Sequence, residues 1–377
     1  MFDKNIISET IAELRRSIPL TQAELADRLG ISHQAVSQWE RGETLPDITL
    51  LPELAAALGV DVNALFGIGS NAEQREEQAS AAPEIDLMNI DTDEDFHIRG
   101  DIGSARVGGD LTVEGNARGN IKADGEVNIT GQVDGDITAG DEVVVGGNVN
   151  GNIGAGDSVS VKGRVDGNVS AGDDVLVGGG ICGDICAGDS VSVRGAVKGD
   201  IDAGDSVAVG GAITGDICAG DDISVNGSIR GDVDAGGDLA VNGSIEGDIN
   251  VGGDISINGG ISGDIDCGGD ICINGDISGD LNSGGDISVN GRIGGDVEAD
   301  GDVMINGDID GDVRSGGDCQ IGQKDNKDNR HVTGSIECDG DCELYADVDG
   351  DVEVGGDLIL RGNVGGTITV SGEIKKI

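Results

Sequence analysis

The amino-acid sequence predicts an α + β chain of two unlike parts: an N-terminal all-α helix-turn-helix bundle in residues 1–66, then a long three-sided β-helix, a β-solenoid of 16-residue coils, in residues 100–377. Three observations carry this reading. From Gly103 to Ile321 the apolar positions recur every 16 residues. All four prolines (Pro19, Pro46, Pro52, Pro83) precede residue 84, so every later position can donate a backbone N–H to a sheet ladder. Helical periodicity with cap signals is confined to residues 6–66.

Composition bounds the solenoid's interior. The 377 residues include 70 Gly, and aromatics make up 1%. An ordinary large core needs bulky side chains that this chain lacks. Its apolar residues are mostly Val, Ile and Ala, which suit thin cores of stacked small groups. High Gly with high charge is also a signature of disorder, but the strict apolar periodicity argues against it.

One repeat unit is Gly135–Asn150, and its positions are numbered here from Gly135. Position 3 holds Ile137, Ile153 and Val169; position 9, Val143, Val159 and Val175; position 11, Val145, Val161 and Val177; position 15, Val149, Val165 and Ile181. Position 5 is mostly Ala, as at Ala139 and Ala155, and Gly recurs at positions 1, 6 and 13. The pairs 3/5, 9/11 and 13/15 each alternate with period two, which is strand spacing. Gly-Asp corners between them offer the positive φ of a tight turn. Three short strands and three corners make one coil, and successive coils stack about 4.8 Å apart. About 17 such coils give a rod of roughly 80 Å. A single coil cannot offset its own ordering entropy, so stability comes from the array.

The repeat breaks once. Ile321 is at position 11, yet the next position 15 is Val332, which leaves seven extra residues in the 322–331 stretch GQKDNKDNRH. This reads as a polar loop carrying Lys324, Lys327, Arg330 and His331; its plainest role is a tolerated surface insertion. The register also sorts the cysteines. Cys319 and Cys342 fall at inward position 9 of consecutive coils and Cys338 at inward position 5, whereas Cys182, Cys186, Cys218 and Cys272 fall on outward positions. No CxxC occurs and the CxxxC pairs are poor metal spacing, so no metal site and no cofactor are expected.

The segment from Gly100 onward resembles the bactofilins, bacterial polymer-forming β-helix proteins, through phrases such as AGGDLAVNGSIEGDI and VGGDISINGGISGDI. The resemblance implies end-to-end assembly without nucleotide. This chain departs from that family in its larger number of coils and its acidity.

In the N-terminal part, Thr21-Gln22-Ala23-Glu24 is a capping box that opens a helix with Leu25, Ala26 and Leu29 on its apolar face and Gly30 at its end. Ser32 caps a second helix, His33 to Glu40, with Val36 and Trp39 inward and Arg41-Gly42 closing it. Two short amphipathic helices with Gly in the turn make the helix-turn-helix pattern. Pro52 fits the first turn of a further helix through Leu58, and a last helix ends at Phe66.

TQAELADRLGISHQAVSQWERGETLPD resembles the Cro/cI-type repressor family. The resemblance implies that the second motif helix enters the major groove of double-stranded DNA. It implies base-reading roles for His33, Gln34, Ser37 and Gln38, and phosphate contacts for Gln22 and Arg41. It assigns Arg15 and Glu40 to a structural salt bridge. Read from residue type alone, His33 is equally an exposed helix residue and the glutamines are good helix formers, although glutamine also pairs with adenine through two hydrogen bonds.

Charge separates the candidate functions. The net charge is −49, of which residues 1–70 contribute −5, from Lys4, Arg15, Arg16, Arg28 and Arg41 against ten Asp and Glu. Phosphate contacts supply most DNA affinity, so one copy should bind weakly and several linked copies better. The leading expectation is a sequence-specific DNA-binding protein whose solenoid is an assembly module, forming a homo-oligomer through solenoid or helix-turn-helix contacts. The alternative is a bactofilin-like scaffold whose helix-turn-helix recruits protein. An enzyme is not expected, because no nucleophile–base set, phosphate loop or metal cluster is visible. No membrane-spanning segment or signal peptide is visible either, and the cytoplasm is the expected compartment. Residues 67–99, rich in Ala, Glu, Gln and Asp, read as a linker, with Phe96 and Ile98 starting the solenoid cap.

Overall fold

In a computed structural model, the chain divides into two compact units, Met1–Ile85 and Asp86–Ile377. The structure describes residues 4–18, 20–47, 50–58, 60, 65, 88–324 and 330–377.

Among the described residues the first unit holds four helices: α1 (Lys4–Ser17), α2 (Gln22–Leu29), α3 (His33–Glu40) and α4 (Leu51–Leu58). Thr21 closes the expected capping box on α2. Its hydroxyl accepts from the Glu24 N–H, and the Glu24 carboxylate accepts from the Thr21 N–H. Gly30 then adopts φ 63°, the left-handed conformation that ends a helix, and Ser32 caps α3. Ile11, Leu25, Val36 and Leu54, one from each helix, are fully buried and form the core with Trp39 and Leu65. Pro52 lies in the first turn of α4, where its missing N–H costs nothing. The helix expected to end at Phe66 lies outside the described residues, apart from Leu65.

The second unit is a parallel β-solenoid with three faces. The first face is an 18-stranded parallel sheet built at positions 3–5, and the second a sheet of similar length built at positions 9–11. Partners are offset by one repeat, as in Val207↔Ile223 and Ile217↔Val233. Val, Ile and Ala therefore stack on their own kind and form one continuous core. The third face differs from the expected 13/15 pair. Its ladder uses positions 15 and 16, as in Val197↔Ile213 and Lys198↔Thr214, or shrinks to single bridges such as Val149↔Val165. Position 13 is a corner instead.

The corner glycines also act differently from the expectation. At position 6 the constraint is space rather than positive φ. A Cβ on Gly204 would sit 1.9 Å from the carbonyl oxygen of Gly188, one coil earlier. Positive φ is found at position 1 of some coils, for instance 145° at Gly215 and 147° at Gly231.

The ladder begins at Ile90, inside the span read as linker. Ile90–Thr92 pairs with Ala105–Val107 and Phe96–Arg99 with Leu111–Glu114. The first coil is one residue short, which is why it escaped a strict 16-residue register. At the break, Val313 pairs with Ile336 and Cys319 with Cys342, so the seven-residue insertion is accommodated without loss of register. Arg330 and His331, read from sequence as loop, are strand residues. Arg330–Val332 pairs with Ala346–Val348 because Val332 must reach the core beneath Ile309. Lys327 lies outside the described residues. Cys319, Cys338 and Cys342 are buried as expected, and contact with Cys319 and Cys338, together with burial, pushes the Cys342 thiol far up.

The aspartate columns are ladders of side-chain to backbone bonds. The Asp184 carboxylate accepts the Asp200 N–H at 3.1 Å, and Asp200 accepts from Asp216 at 2.9 Å. A second column runs through Asp222, Asp238 and Asp254 at 2.8 Å. Each aspartate thus satisfies a corner N–H that the turn would otherwise orphan. An asparagine column, from Asn226 to Asn306, links side-chain amides at 3.0–3.2 Å and ends on the Arg330 guanidinium.

Candidate nucleic-acid interface

α3 is amphipathic by spacing. Val36 and Trp39, three apart, are buried against the other helices, which turns His33, Gln34 and Gln38 outward. All three are exposed and Ser37 is half-buried beside them. Four of the expected base-reading residues therefore share one surface. The helix is held in place from behind. Arg15 of α1 forks onto Glu40, with Nε 2.5 Å from Oε1 and Nη2 3.1 Å from Oε2, and its Nη1 donates to the Leu20 carbonyl. The pair is shielded, with side-chain exposures of 12% and 5%. Burial pushes the Glu40 carboxyl up, but hydrogen bonds from Arg15 and Gln22 outweigh it and hold the group below the usual carboxylate range. The bond to Glu40 likewise holds Arg15 above its ordinary value.

Gln22 joins the network behind α3. It opens α2, as expected, and its amide Nε2 donates to Glu40 Oε2 at 2.7 Å, which makes it the third member of this network. Arg41 is also engaged. Its Nε and Nη2 fork onto Glu43 at 2.8 and 3.1 Å, and its Nη1 donates to Ser37 Oγ at 2.6 Å. Both side chains of the Arg41–Glu43 pair are more than half exposed. The fork holds the Glu43 carboxyl below its ordinary value and the Arg41 guanidinium above. Glu43 is the residue that sequence reasoning missed. The available signal was an acid two positions after the one cation expected to touch phosphate.

The helix-turn-helix family model matches residues 11–65. An uncharacterised HTH-type transcriptional regulator of Sinorhizobium fredii is 44% identical over 57 residues, which is 15% of this chain and 74% of that protein. By its N-terminal unit the chain belongs to the helix-turn-helix family. An uncharacterised HTH-type transcriptional regulator of Methanothermobacter thermautotrophicus is 41% identical over 49 residues, 13% of this chain and 71% of that protein. The cryptic phage CTXphi transcriptional repressor RstR of Vibrio cholerae is 37% identical over 70 residues, 19% of this chain; the chain spans 62% of that repressor's length. The bactofilin model, described as polymer-forming cytoskeletal, matches residues 92–180, so the family likeness covers the first coils of a solenoid that continues to the C-terminal strand. No solved structure matches the chain. Among the described residues no helix is long and apolar enough to cross a membrane.

Proposed function

We propose that the chain is a sequence-specific DNA-binding regulator, acting in the cytoplasm, whose solenoid joins several copies. The observation that carries this reading is the grouping of His33, Gln34, Ser37 and Gln38 on the outer surface of α3, the second helix of the motif. Glutamine amides suit the paired donor and acceptor of adenine in the major groove. Arg41 reaches a phosphate by exchanging Glu43 for it. The Arg15–Glu40 pair sets the angle of α3, and Gln22, bonded to it at the start of α2, is a second phosphate contact. The relatives that are transcriptional regulators or a repressor support regulation. The polymer-forming family likeness supports assembly, and both matched families are of non-enzymatic kinds.

The net −5 of residues 1–70 and the neutralised Arg41 favour a second reading, in which the N-terminal unit recruits protein to a scaffold. Selection of duplexes from a random pool with the full chain separates the two. The DNA reading expects one enriched motif, lost in the Gln34→Ala, Gln38→Ala double variant. A pool that stays random after selection contradicts it and leaves the scaffold.

A further inference from the structure

The three faces of the solenoid are not equally charged. On the first face the outward column carries Arg106, Lys122, Asp202, Asp234, Asp266 and Glu298. The third face carries Lys198, Arg230 and Glu246 among its outward residues. On the second face the outward position 10 holds no charged residue from Thr112 through to Gln320. Its middle reads Ser224, Ala240, Ser256, Cys272 and Ser288 in successive coils. In a chain of net charge −49, this is the face on which two copies can approach without opposing carboxylates at their centre. It also carries Leu176 and Met304, 49% and 54% exposed, the large exposed hydrophobics of the solenoid between Met88 and its C-terminal coil.

The edges of this face fix how a second copy would sit. One edge is the aspartate column at position 8, the other the asparagine column at position 12, and both run through the same coils, Asp222 to Asp302 and Asn226 to Asn306. A twofold axis across the rods would lay aspartate column on aspartate column. A twofold axis along the rods lays the aspartate column of each copy against the asparagine column of the other. Each asparagine amide uses one N–H within its own column and has a second. Each aspartate uses Oδ1 for the next coil's N–H and has a second oxygen. Donors then meet acceptors along both edges through the six coils from Asp222 and Asn226 to Asp302 and Asn306. The uncharged strip is ~65 Å long and ~13 Å wide at sheet spacings, about 800 Å² per partner, the size of a standard stable interface.

We propose that the second face is a lateral interface between two copies of this chain, aligned in parallel and in register about a twofold axis along the rod. Position 10 of each coil then meets its own copy, and both N-terminal units are tethered at the same end of the pair. The pairing uses a side of the rod, so it is separate from end-to-end assembly, and it stands whether or not the N-terminal unit binds DNA.

Cys272 lies on this face and is exposed. With the other exposed thiols removed (Cys182→Ser, Cys186→Ser, Cys218→Ser), a short bis-maleimide should link the full chain into a covalent dimer through Cys272. Moving the thiol (Cys272→Ser with Ser192→Cys) should link it equally well, because self-linking at two heights occurs only in a parallel, in-register pair. Ser256→Lys should abolish linking and weaken the dimer at least tenfold by sedimentation, while Asn250→Lys on the first face should leave both unchanged. Circular dichroism of each variant reports whether the solenoid is intact. A chain that sediments as monomer, linking at one height but not the other, or a dimer indifferent to Ser256→Lys would overturn the proposal.

Discussion

The two units of this chain reach stability by opposite routes. In the N-terminal unit a few residues each do something no other residue does. Glu40 alone receives both Arg15 and Gln22, and Trp39 is the one tryptophan in the chain. In the solenoid the core residues repeat one another's role from coil to coil, with the single tyrosine, Tyr345, as an exception. Val207 stacks on Ile223 as Val191 stacks on Val207, and the loss of one contact leaves the coils above and below in place. A globular core concentrates its stability and a repeat array spreads it along the rod. Specific recognition needs the first, and assembly over a long surface suits the second.

Breaking Glu40 should separate the two units most sharply. Glu40→Ala leaves the Arg15 guanidinium without its carboxylate in a shielded site, which costs about 3–5 kcal/mol. That is comparable with the whole stability of a small domain. Calorimetry of the full chain should show the transition of the N-terminal unit lost or moved far down, with the solenoid transition unchanged. If both transitions moved together, the two units would not be independent.

A single substitution in the array should act more weakly and more locally. Gly204→Ala forces a Cβ against the Gly188 carbonyl, and relief of that overlap should cost about 1–3 kcal/mol. Hydrogen exchange should rise in the coils around residue 204 and stay unchanged near Ile137 or Val352. Uniform loss of protection along the rod would show one cooperative block instead of a spread array.

The two units should also part under acid. Glu40 is held below its ordinary value, so its contribution is complete above about pH 4.3, the unfolded carboxyl value, and is lost as pH falls through the lower folded value. A pH series of melting curves should show the N-terminal transition level near neutrality and falling below about pH 4. Glu40→Gln should reduce that acid dependence, with Glu24 and Glu43, also held below their ordinary values, supplying the remainder.

The smallest effect concerns salt. The solenoid unit, residues 86–377, carries −41 of the −49 charges, residues 1–85 carrying the other −8, and its aspartates stack at coil spacing. Although those side chains bond corner N–H groups, their like charges still repel, and screening should raise the melting temperature of the solenoid by a few degrees from low to physiological salt. A solenoid transition that does not move with salt would show that these bonds fully offset the repulsion.

The fold was legible in the sequence because burial in a solenoid is strictly periodic. The inward residues from Ile137 to Ile321 follow from the register alone, and those from Val332 onward follow once the seven-residue insertion is allowed for. Features set by three-dimensional crowding were not legible. The glycine at position 6 is required by a carbonyl one coil away, and the third face narrows to single bridges for reasons that no alternation pattern carries. The start at Ile90 was hidden by a coil one residue short, and Arg330 left the expected loop because Val332 behind it belongs to the core. At the candidate interface, helix periodicity was enough to place His33, Gln34 and Gln38 on the surface. Whether Gln22 and Arg41 are free to touch phosphate depends on Glu40 and Glu43, and side-chain partners across a turn or between helices do not show in spacing.

On the proposed function, the α3 surface reads duplex DNA and assembly supplies the affinity which few cations cannot. Titration of the full chain against a selected duplex, followed by fluorescence anisotropy at several salt concentrations, tests it directly. Binding should rise steeply with protein concentration, Gln34→Ala and Gln38→Ala should each lose roughly 1–3 kcal/mol of base discrimination, and Glu43→Gln, which frees Arg41 for a phosphate, should bind more tightly with a salt slope steeper by about 0.9. Equal affinity for selected and scrambled duplexes, or no binding at any salt concentration, would contradict it.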